Sequence, residues 1–195
     1  WNLGAYFPEA IYLVRDEIRE GESIGPRILT SGPFLTIPAG GGDLVMPGHD
    51  ESEIPSGSRL GVARGPEHFA EKTQLAIERG ADLIKVIASG AVFAFGGVPG
   101  APEMSEEEIA AVVEVAHAAG LIVTAHVHSA QSGKDAARAG VDTFEHASLL
   151  YDDAIAMVAE AGIVLSMDVY NGTYTDEVGR EQNYPEEFMR KNYET

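Results

Sequence analysis

The chain has 195 residues, enough for one sizeable domain, and 45% of them are hydrophobic, as in ordinary globular proteins. Its formal net charge of -18 would repel phosphate groups, which argues against binding to nucleic acid or to an anionic membrane surface. The absence of cysteine from these residues excludes disulfides and thiolate metal sites within them and leaves the compartment open. No apolar run approaches the ~20 residues that a membrane-spanning helix needs.

Five segments predict helices, because their apolar residues recur every three or four positions and a glycine follows each of them. Proline lies in the first turn of two of these helices, and Ser105 with Glu108 forms a capping-box pattern ahead of a third. Beyond Tyr170 the polar sequence predicts another loop that leads into a helix. In chain order, the predicted helices span residues 8–20, 66–79, 105–120, 134–138 and 152–161.

Short apolar segments alternate with these helices and predict buried strands. Their runs are mainly apolar rather than alternating, as expected for parallel strands that are covered on both faces. The repeated order of helix, glycine and strand predicts an α/β fold, either an open doubly wound sheet or a β/α barrel. The predicted strands span residues 26–32, 83–87, 121–126, 141–146 and 163–169.

Residues 33–65 interrupt this alternation with an irregular stretch that contains the glycine run 40–42. A loop of this length is unusual in a compact domain and is often functional, so it is either a lid over a site or a decorative insertion. The glycine run does not predict a phosphate-binding loop, because no Gly-Lys-Ser/Thr sequence follows it.

Three successive strands carry residues that can bind a metal, namely Lys85, His126 and His146. Polar residues at the carboxyl ends of parallel strands converge at one face of a barrel, and neutral imidazole is a common zinc ligand. Burial of Lys85 in an apolar strand predicts a lowered pKa of its amine. Such an amine can add CO2 to become a metal-binding carbamate, or it can form a Schiff base with a carbonyl substrate.

Further polar residues lie close to these strand ends. His128 falls on the same face of its strand as His126, so it is a candidate substrate contact or a loop cap. Tyr170 and Asn171 follow the last predicted strand, which contains Asp168. We expect His128 and Tyr170 to contact substrate, whereas Asp168 and Asn171 are candidates either for lining the site or for structural hydrogen bonds.

Several motifs together resemble the amidohydrolase superfamily. More narrowly, they resemble the imidazolonepropionase-like branch that includes metal-dependent Xaa-Pro dipeptidases, the prolidases. The resemblance covers nearly the whole chain, and the order lysine, histidine, histidine is its most specific part. The similar segments are residues 80–86 (GADLIKV), 124–128 (TAHVH), 144–146 (FEH), 40–43 (GGGD), 97–104 (GVPGAPEM) and 167–172 (MDVYNG).

This resemblance implies an eight-stranded TIM-type (β/α)8 barrel with two divalent metal ions, usually zinc. By their positions in the matching motifs, Lys85 corresponds to the carboxylated bridging lysine of strand four. His126 then corresponds to the metal ligand of strand five and His146 to that of strand six. Asp168 belongs to strand seven in this correspondence and is not assigned as the general base.

Two further elements of the family's site have no counterpart in these residues, namely a His-x-His pair on strand one and an aspartate on strand eight. We therefore expect residues 1–195 to be a partial barrel domain with strands three to seven, without the amino-terminal strands and the final strand. Trp1 in place of methionine is consistent with a missing natural start. The general base is expected outside this chain, and the fragment alone is expected to be inactive.

For the intact parent, the expected function is metal-dependent hydrolysis of an amide bond, with an Xaa-Pro dipeptide as substrate. Three alternatives stay open: a cyclic amidohydrolase that acts on an imidazolone or a lactone, a Schiff-base lyase that uses Lys85, and a non-catalytic barrel remnant. The expected partner is a small molecule or a dipeptide, and homo-oligomer formation is compatible with the sequence.

Overall fold

The computed structural model describes residues 1–45 and 47–195, and its centre is a five-stranded parallel sheet in the order β1-β2-β3-β4-β5. Each strand pairs with its neighbour in the chain, as the repeated helix–glycine–strand pattern predicts. Because the strands are parallel, all their carboxyl ends lie at one edge of the sheet. The strands are β1 (Phe34–Leu35), β2 (Ile84–Ile87), β3 (Val123–Ser129), β4 (Thr143–Leu149) and β5 (Val164–Ser166).

Seven α-helices accompany the sheet within the described residues. The predicted capping box is present: Ser105 Oγ accepts a hydrogen bond from the Glu108 N–H, and the Glu108 carboxylate accepts one from the Ser105 N–H. None of the helices in the described part of the chain has the length and apolar character needed to cross a membrane. The helices are α1 (Pro8–Glu20), α2 (Pro66–Glu78), α3 (Glu106–Ala118), α4 (Ala130–Ala139), α5 (Asp152–Glu160), α6 (Asn171–Glu181) and α7 (Glu186–Glu194).

The main hydrophobic core lies between the sheet and helices α2, α3 and α4. Phe69 of α2 and Phe144 of β4 are its largest members, and both are fully buried. β2 is buried along its entire length, which explains why its sequence is apolar on both faces apart from Lys85. The core therefore holds rigidly the strands that carry the candidate site residues.

The strand predicted over residues 26–32 is wrong, because the first strand of the sheet is β1 (Phe34–Leu35). In the predicted segment only Thr30 makes a bridge, to Asn2. The Thr30 N–H donates to the Asp82 side chain, and Pro33 has no N–H to donate. Thr30 therefore bonds to the single residues Asn2 and Asp82 and not to a continuous strand, and regular pairing begins only after the proline.

Residues 33–65, predicted to be irregular, contain β1 and two short 3-10 helices, Glu51–Glu53 and Ser56–Arg59. A buried ion pair fixes this segment, since the fully buried carboxylate of Asp43 accepts two hydrogen bonds from Arg59, at 2.7 and 2.9 Å. Arg59 also pairs with the exposed carboxylate of Glu51 at 3.0 Å. The segment is thus tied across its width, although Met46, which lies within it, is outside the described residues.

After β4, the observed strand and helices have different bounds from the predicted ones. β5 ends at Ser166, so Asp168 follows the strand rather than lying within it. The residues after Tyr170 form two helices, α6 and α7, in place of a loop and one helix. The exposed outer side of β5 leaves Val164 and Leu165 in contact with solvent in the described chain.

Replacing Asp43 with asparagine should lower the free energy of unfolding of the full-length protein. The cost should be about 3 kcal/mol, at the low end for a broken buried pair, because Arg59 keeps its contact with Glu51. The matched variant Glu51→Gln removes the exposed partner of the same arginine and should change stability little. Urea unfolding of both variants measures the difference, and equal effects would contradict a dominant role for the buried pair.

Candidate metal and active site

A cavity of about 730 Å³ opens at the carboxyl edge of the sheet. Strand ends and the loops that follow them form its sides, as in other parallel α/β proteins. Its polar side is lined by Lys85, His126, His128, Glu145, His146, Ser148, Asp168 and Asn171. The cavity therefore gathers the residues that the sequence singled out on three successive strands.

Three imidazole rings form a cluster on this polar side. His126 and His128 lie two residues apart on β3, so both point to the same face, and their ring centroids are 4.6 Å apart. His146 comes from β4, with its ring centroid 4.6 Å from that of His126 and 5.2 Å from that of His128. Such close spacing of three histidines is favourable only if they are mostly uncharged or share a cation.

A backbone irregularity brings His146 into this cluster. Regular alternation along β4 would point Glu145 and His146 to opposite faces, yet both line the cavity. His146 and Ala147 have positive φ angles of 70° and 55°, and the pairing of β3 with β4 shifts register at the same level. Positive φ is costly for residues with a Cβ atom and often occurs at functional sites. The strain here places two polar side chains at one strand end.

Hydrogen bonds hold two of the three histidines. His146 Nδ1 is bonded to the carboxylate of Asp168, and His128 Nδ1 lies 3.1 Å from Ser148 Oγ. The His128 backbone N–H donates to Ser89 Oγ at 2.9 Å. His126 Nε2, in contrast, is buried and has no hydrogen-bond partner. An unpaired buried nitrogen is rare and expensive, so it points to a ligand.

The surroundings favour the neutral form of His126 and His128. Burial lowers the pKa of His126 well below its usual value, and His146 and His128 lower it further. Burial, followed by the neighbouring His146, lowers the pKa of His128 to about 4, although Asp168 opposes this shift. Neutral imidazole is the form that binds metal ions.

Lys85 lies on β2 beside this cluster and is 4% exposed. Burial lowers the pKa of its amine to about 8, and Glu145 and Asp168 oppose the shift. Glu145 is itself buried and accepts a hydrogen bond from Thr124 Oγ1 at 2.7 Å. Lowering of the Lys85 pKa by burial agrees with the expectation from sequence, whereas the part played by Glu145 was missed because a glutamate beside a strand histidine has no distinctive pattern.

The residues fit the metal centre that the sequence predicts, although that centre stays a prediction. Across residues 1–45 and 47–195, no group of three His, Cys, Asp or Glu side chains is arranged to hold a metal ion. The predicted ligand set contains only two such residues, His126 and His146, and its third member is Lys85. The unpartnered Nε2 of His126, the lowered pKa values of His126 and His128 and the buried amine of Lys85 provide suitable donor chemistry.

The other candidates divide into two groups. His128, Asp168 and Asn171 line the cavity. Tyr170 does not belong to its lining; its side chain is 60% exposed and lies beside Tyr174, so the geometry does not support its predicted contact with substrate. The residues on either side of it, Val169 and Asn171, do line the cavity.

Close packing explains the glycine run in the loop after β1. A Cβ atom on Gly41 would lie 2.8 Å from Ala91 Cβ, and one on Gly42 would lie 2.9 Å from Ile87 Cγ1. The Gly41 N–H donates to the half-buried carboxylate of Glu103 at 2.8 Å. The run therefore lets this loop pack against the end of β2, and Gly41 forms part of the cavity lining.

The comparison with protein families identifies the class to which this fold and site belong. The model of the Amidohydrolase family matches residues 3–185, and the chain belongs to that family. Ochratoxinase from Aspergillus niger is 31% identical over 169 residues, which cover 77% of this chain and 34% of that protein. The chain thus spans about a third of the length of this curated relative.

Solved structures agree with the family assignment. A Xaa-Pro dipeptidase with bound methionine in its active site has a TM-score of 0.85 at 29% identity, over 98% of this chain and 47% of that one. A prolidase complexed with N-methylphosphonate-L-proline has a TM-score of 0.82 at 28% identity, over 94% and 46% of the two chains. The prediction of an α/β fold that forms part of an amidohydrolase barrel is confirmed.

The Gly41→Ala substitution should destabilise the full-length protein by about 1–3 kcal/mol, because its new methyl group would crowd Ala91 and Ile87. Gly57→Ala is the matched control, since a Cβ atom there meets nothing within 4 Å. Thermal and urea unfolding of the two variants measure the difference. If Gly41→Ala is as stable as the control, tight packing does not explain the glycine run.

Proposed function

We propose that the protein containing this chain is a metal-dependent amidohydrolase that cleaves dipeptides of the Xaa-Pro type. The observation that carries the proposal is the buried, unpartnered Nε2 of His126, within a cluster of three imidazoles and beside buried Lys85. A metal ion would give this nitrogen the partner that the described protein residues do not provide.

In this proposal Lys85, as a carbamate, together with His126 and His146 would hold two divalent ions, with zinc as the expected metal. Carbamate formation needs a neutral amine, and a pKa of about 8 leaves a reactive fraction of Lys85 uncharged near neutral pH. The nitrogen of the neutral amine bonds to the carbon of CO2, one C–O π pair moves to oxygen, and the nitrogen loses a proton to solvent water. The lysine side chain would thereby become an anion that could act as a metal ligand.

The metal ions would supply Lewis acidity to the scissile carbonyl and to the attacking water. The carboxylate of Asp168 accepts a hydrogen bond from the Nδ1–H of His146, which fixes the ring and leaves Nε2 free to act as a ligand. His128 lines the cavity next to both ligands and, held by Ser148, can donate or accept a hydrogen bond to substrate. The loop that contains Gly41 shapes one side of the cavity.

Relatives support hydrolysis of an amide. Among the solved structures are a Xaa-Pro dipeptidase with methionine bound in its active site and a prolidase with a proline derivative. Because this chain spans under half of those chains, the activity of the whole protein is a proposal. We assign the other metal-binding histidine pair and the proton-transfer aspartate to residues outside 1–195, as parts of the same barrel domain. The exposed side of β5 is consistent with such an addition.

A cyclic amide substrate is the second candidate within the same chemistry, and the cavity volume of about 730 Å³ suits either kind of small molecule. The lowered pKa of Lys85 would also suit a Schiff base with a carbonyl compound. Membership of the Amidohydrolase family favours hydrolysis over lyase chemistry.

The test uses full-length protein and a panel of Xaa-Pro dipeptides, a hydantoin and a lactone. We expect cleavage of the dipeptides, loss of that activity after treatment with a chelator, and recovery on addition of zinc. His126→Ala should lower kcat/KM by at least about 100-fold, because a metal ligand is removed. His49→Ala is the control, since His49 is exposed and pairs with the exposed Glu53.

Two results would contradict the proposal. One is dipeptide cleavage that survives chelation and the His126→Ala substitution. The other is no hydrolysis of any panel member, together with borohydride trapping of a carbonyl compound on Lys85, which would establish the lyase alternative.

A further inference from the structure

Besides the polar residues, the cavity has an apolar wall formed by Leu3, Tyr6, Phe34, Ile87, Val92 and Phe93. This wall borders the polar residues, because Phe34 and Ile87 pair with Lys85 and His126 on the neighbouring strands. A cavity with one polar and one apolar side orients a bound molecule, because each side accepts only groups of its own kind. The proposed amide hydrolysis uses the polar side and leaves the apolar wall without a role.

The first part of the apolar wall is rigidly packed. The rings of Tyr6 and Phe34 meet edge to face, with their centroids 5.4 Å apart. Gly4 lies so close to Phe34 that a Cβ atom there would come within 2.3 Å of the ring. The amino-terminal segment is therefore fitted against Phe34, and the two rings present a fixed surface.

Phe93 lies in the loop between β2 and α3 and completes the wall. Its ring contacts Tyr184 and Phe188 edge-on, at centroid distances of 6.3 and 5.8 Å. Even so, 46% of Phe93 stays exposed, and it lines the cavity. The contacts with Tyr184 and Phe188 therefore leave apolar ring surface of Phe93 available to a ligand.

A buried lysine fixes the backbone next to Phe93. Lys191 of α7 is fully buried and donates hydrogen bonds to the carbonyl oxygens of Ala94, at 2.6 Å, and Gly96. Glu187 pairs with Lys191 at 3.0 Å and accepts a hydrogen bond from the Gly96 N–H. These bonds attach the loop to α7 directly after Phe93. The loop's hydrogen-bonding groups are satisfied there, so Phe93 is positioned before any ligand arrives.

We propose that Phe93, with Tyr6 and Phe34, forms a specificity subsite for an uncharged aromatic or branched aliphatic side chain next to the scissile amide. This inference rests on the proposed function, since it places that amide at the polar side of the cavity. Lys191 already orders the loop in the unbound protein. This favours binding, because little side-chain entropy is lost when the ligand binds. Charged side chains would lose hydration at this wall and gain no partner from its residues.

Binding to metal-depleted, full-length protein tests the subsite without turnover. The probes are N-acetyl-L-phenylalaninamide and N-acetylglycinamide, and calorimetry measures each Kd. The wild-type protein should bind the phenylalanine probe about tenfold more tightly, as expected for partial burial of one phenyl ring. Phe93→Ala should remove most of this preference, and Phe93→Leu should retain part of it.

Phe95→Ala is the matched control. Phe95 lies in the same loop and packs on the same Phe188, with centroids 4.7 Å apart, but it does not line the cavity. It should keep the wild-type preference, even if its melting temperature falls. A purely structural role for Phe93 would instead make both alanine variants unstable without selectively changing the ratio of the two Kd values.

Equal binding of the two probes to wild-type protein would overturn the subsite. So would a Phe93→Ala variant that keeps the preference, or a Phe95→Ala variant that loses it equally. The outcome is separable from that of the proposed function. Selective binding without hydrolysis on the dipeptide panel would support the subsite and refute the hydrolase. Hydrolysis of the dipeptides without selective binding of the probes would support the hydrolase and refute the subsite.

Discussion

Burial of the Lys85 amine is the constraint on which the rest of the site depends. β2 pairs with β1 and β3 on both sides, so Lys85 stands opposite Phe34 and Thr124 and cannot turn to solvent. An amine in such a place must lose its charge, find anions or be modified. Glu145 and Asp168 provide partial compensation from β4 and from the segment after β5. Polar residues of β2, of β4 and of the segment after β5 are thereby linked to one electrostatic requirement.

The same edge of the sheet accepts unfavourable geometry. His146 has a positive φ angle, and His126 Nε2 has no hydrogen-bond partner among the described residues. The centroids of the three imidazole rings lie within 5.2 Å of one another. Each of these features by itself lowers the stability of the fold, and the tightly packed core beneath the site compensates for that loss. Their coincidence beside Lys85 is more informative than any one of them. The residues of the neighbouring apolar wall have no positive φ angle, which is consistent with recognition rather than chemistry at that wall.

Much of the fold follows from sequence pattern. The 3.6-residue periodicity of apolar residues and the glycine that follows them predicted α1 with its observed bounds. The apolar runs predicted β2 to β5 to within a few residues. The error at residues 26–32 arose because pairing with Asp82 is a tertiary contact without a local signal. Strand ends also predicted that Lys85, His126, His128 and His146 would meet. The role of Glu145 could not be predicted, because it depends on a backbone irregularity. The position of Phe93 in the apolar wall and the hydrogen bonds from Lys191 could not be predicted either, because they depend on contacts about 95 residues apart in the chain.

Metal content of the full-length protein tests the central claim most directly. Elemental analysis would compare the wild-type protein with Lys85→Ala and with Lys134→Ala, whose lysine pairs with Asp153 on the surface. The account predicts about two zinc ions per chain in the wild type and in the Lys134 variant, and strong depletion in the Lys85 variant. Absence of metal from the wild type, or equal metal in all three proteins, would contradict the claim that Lys85 and the histidines form a metal centre.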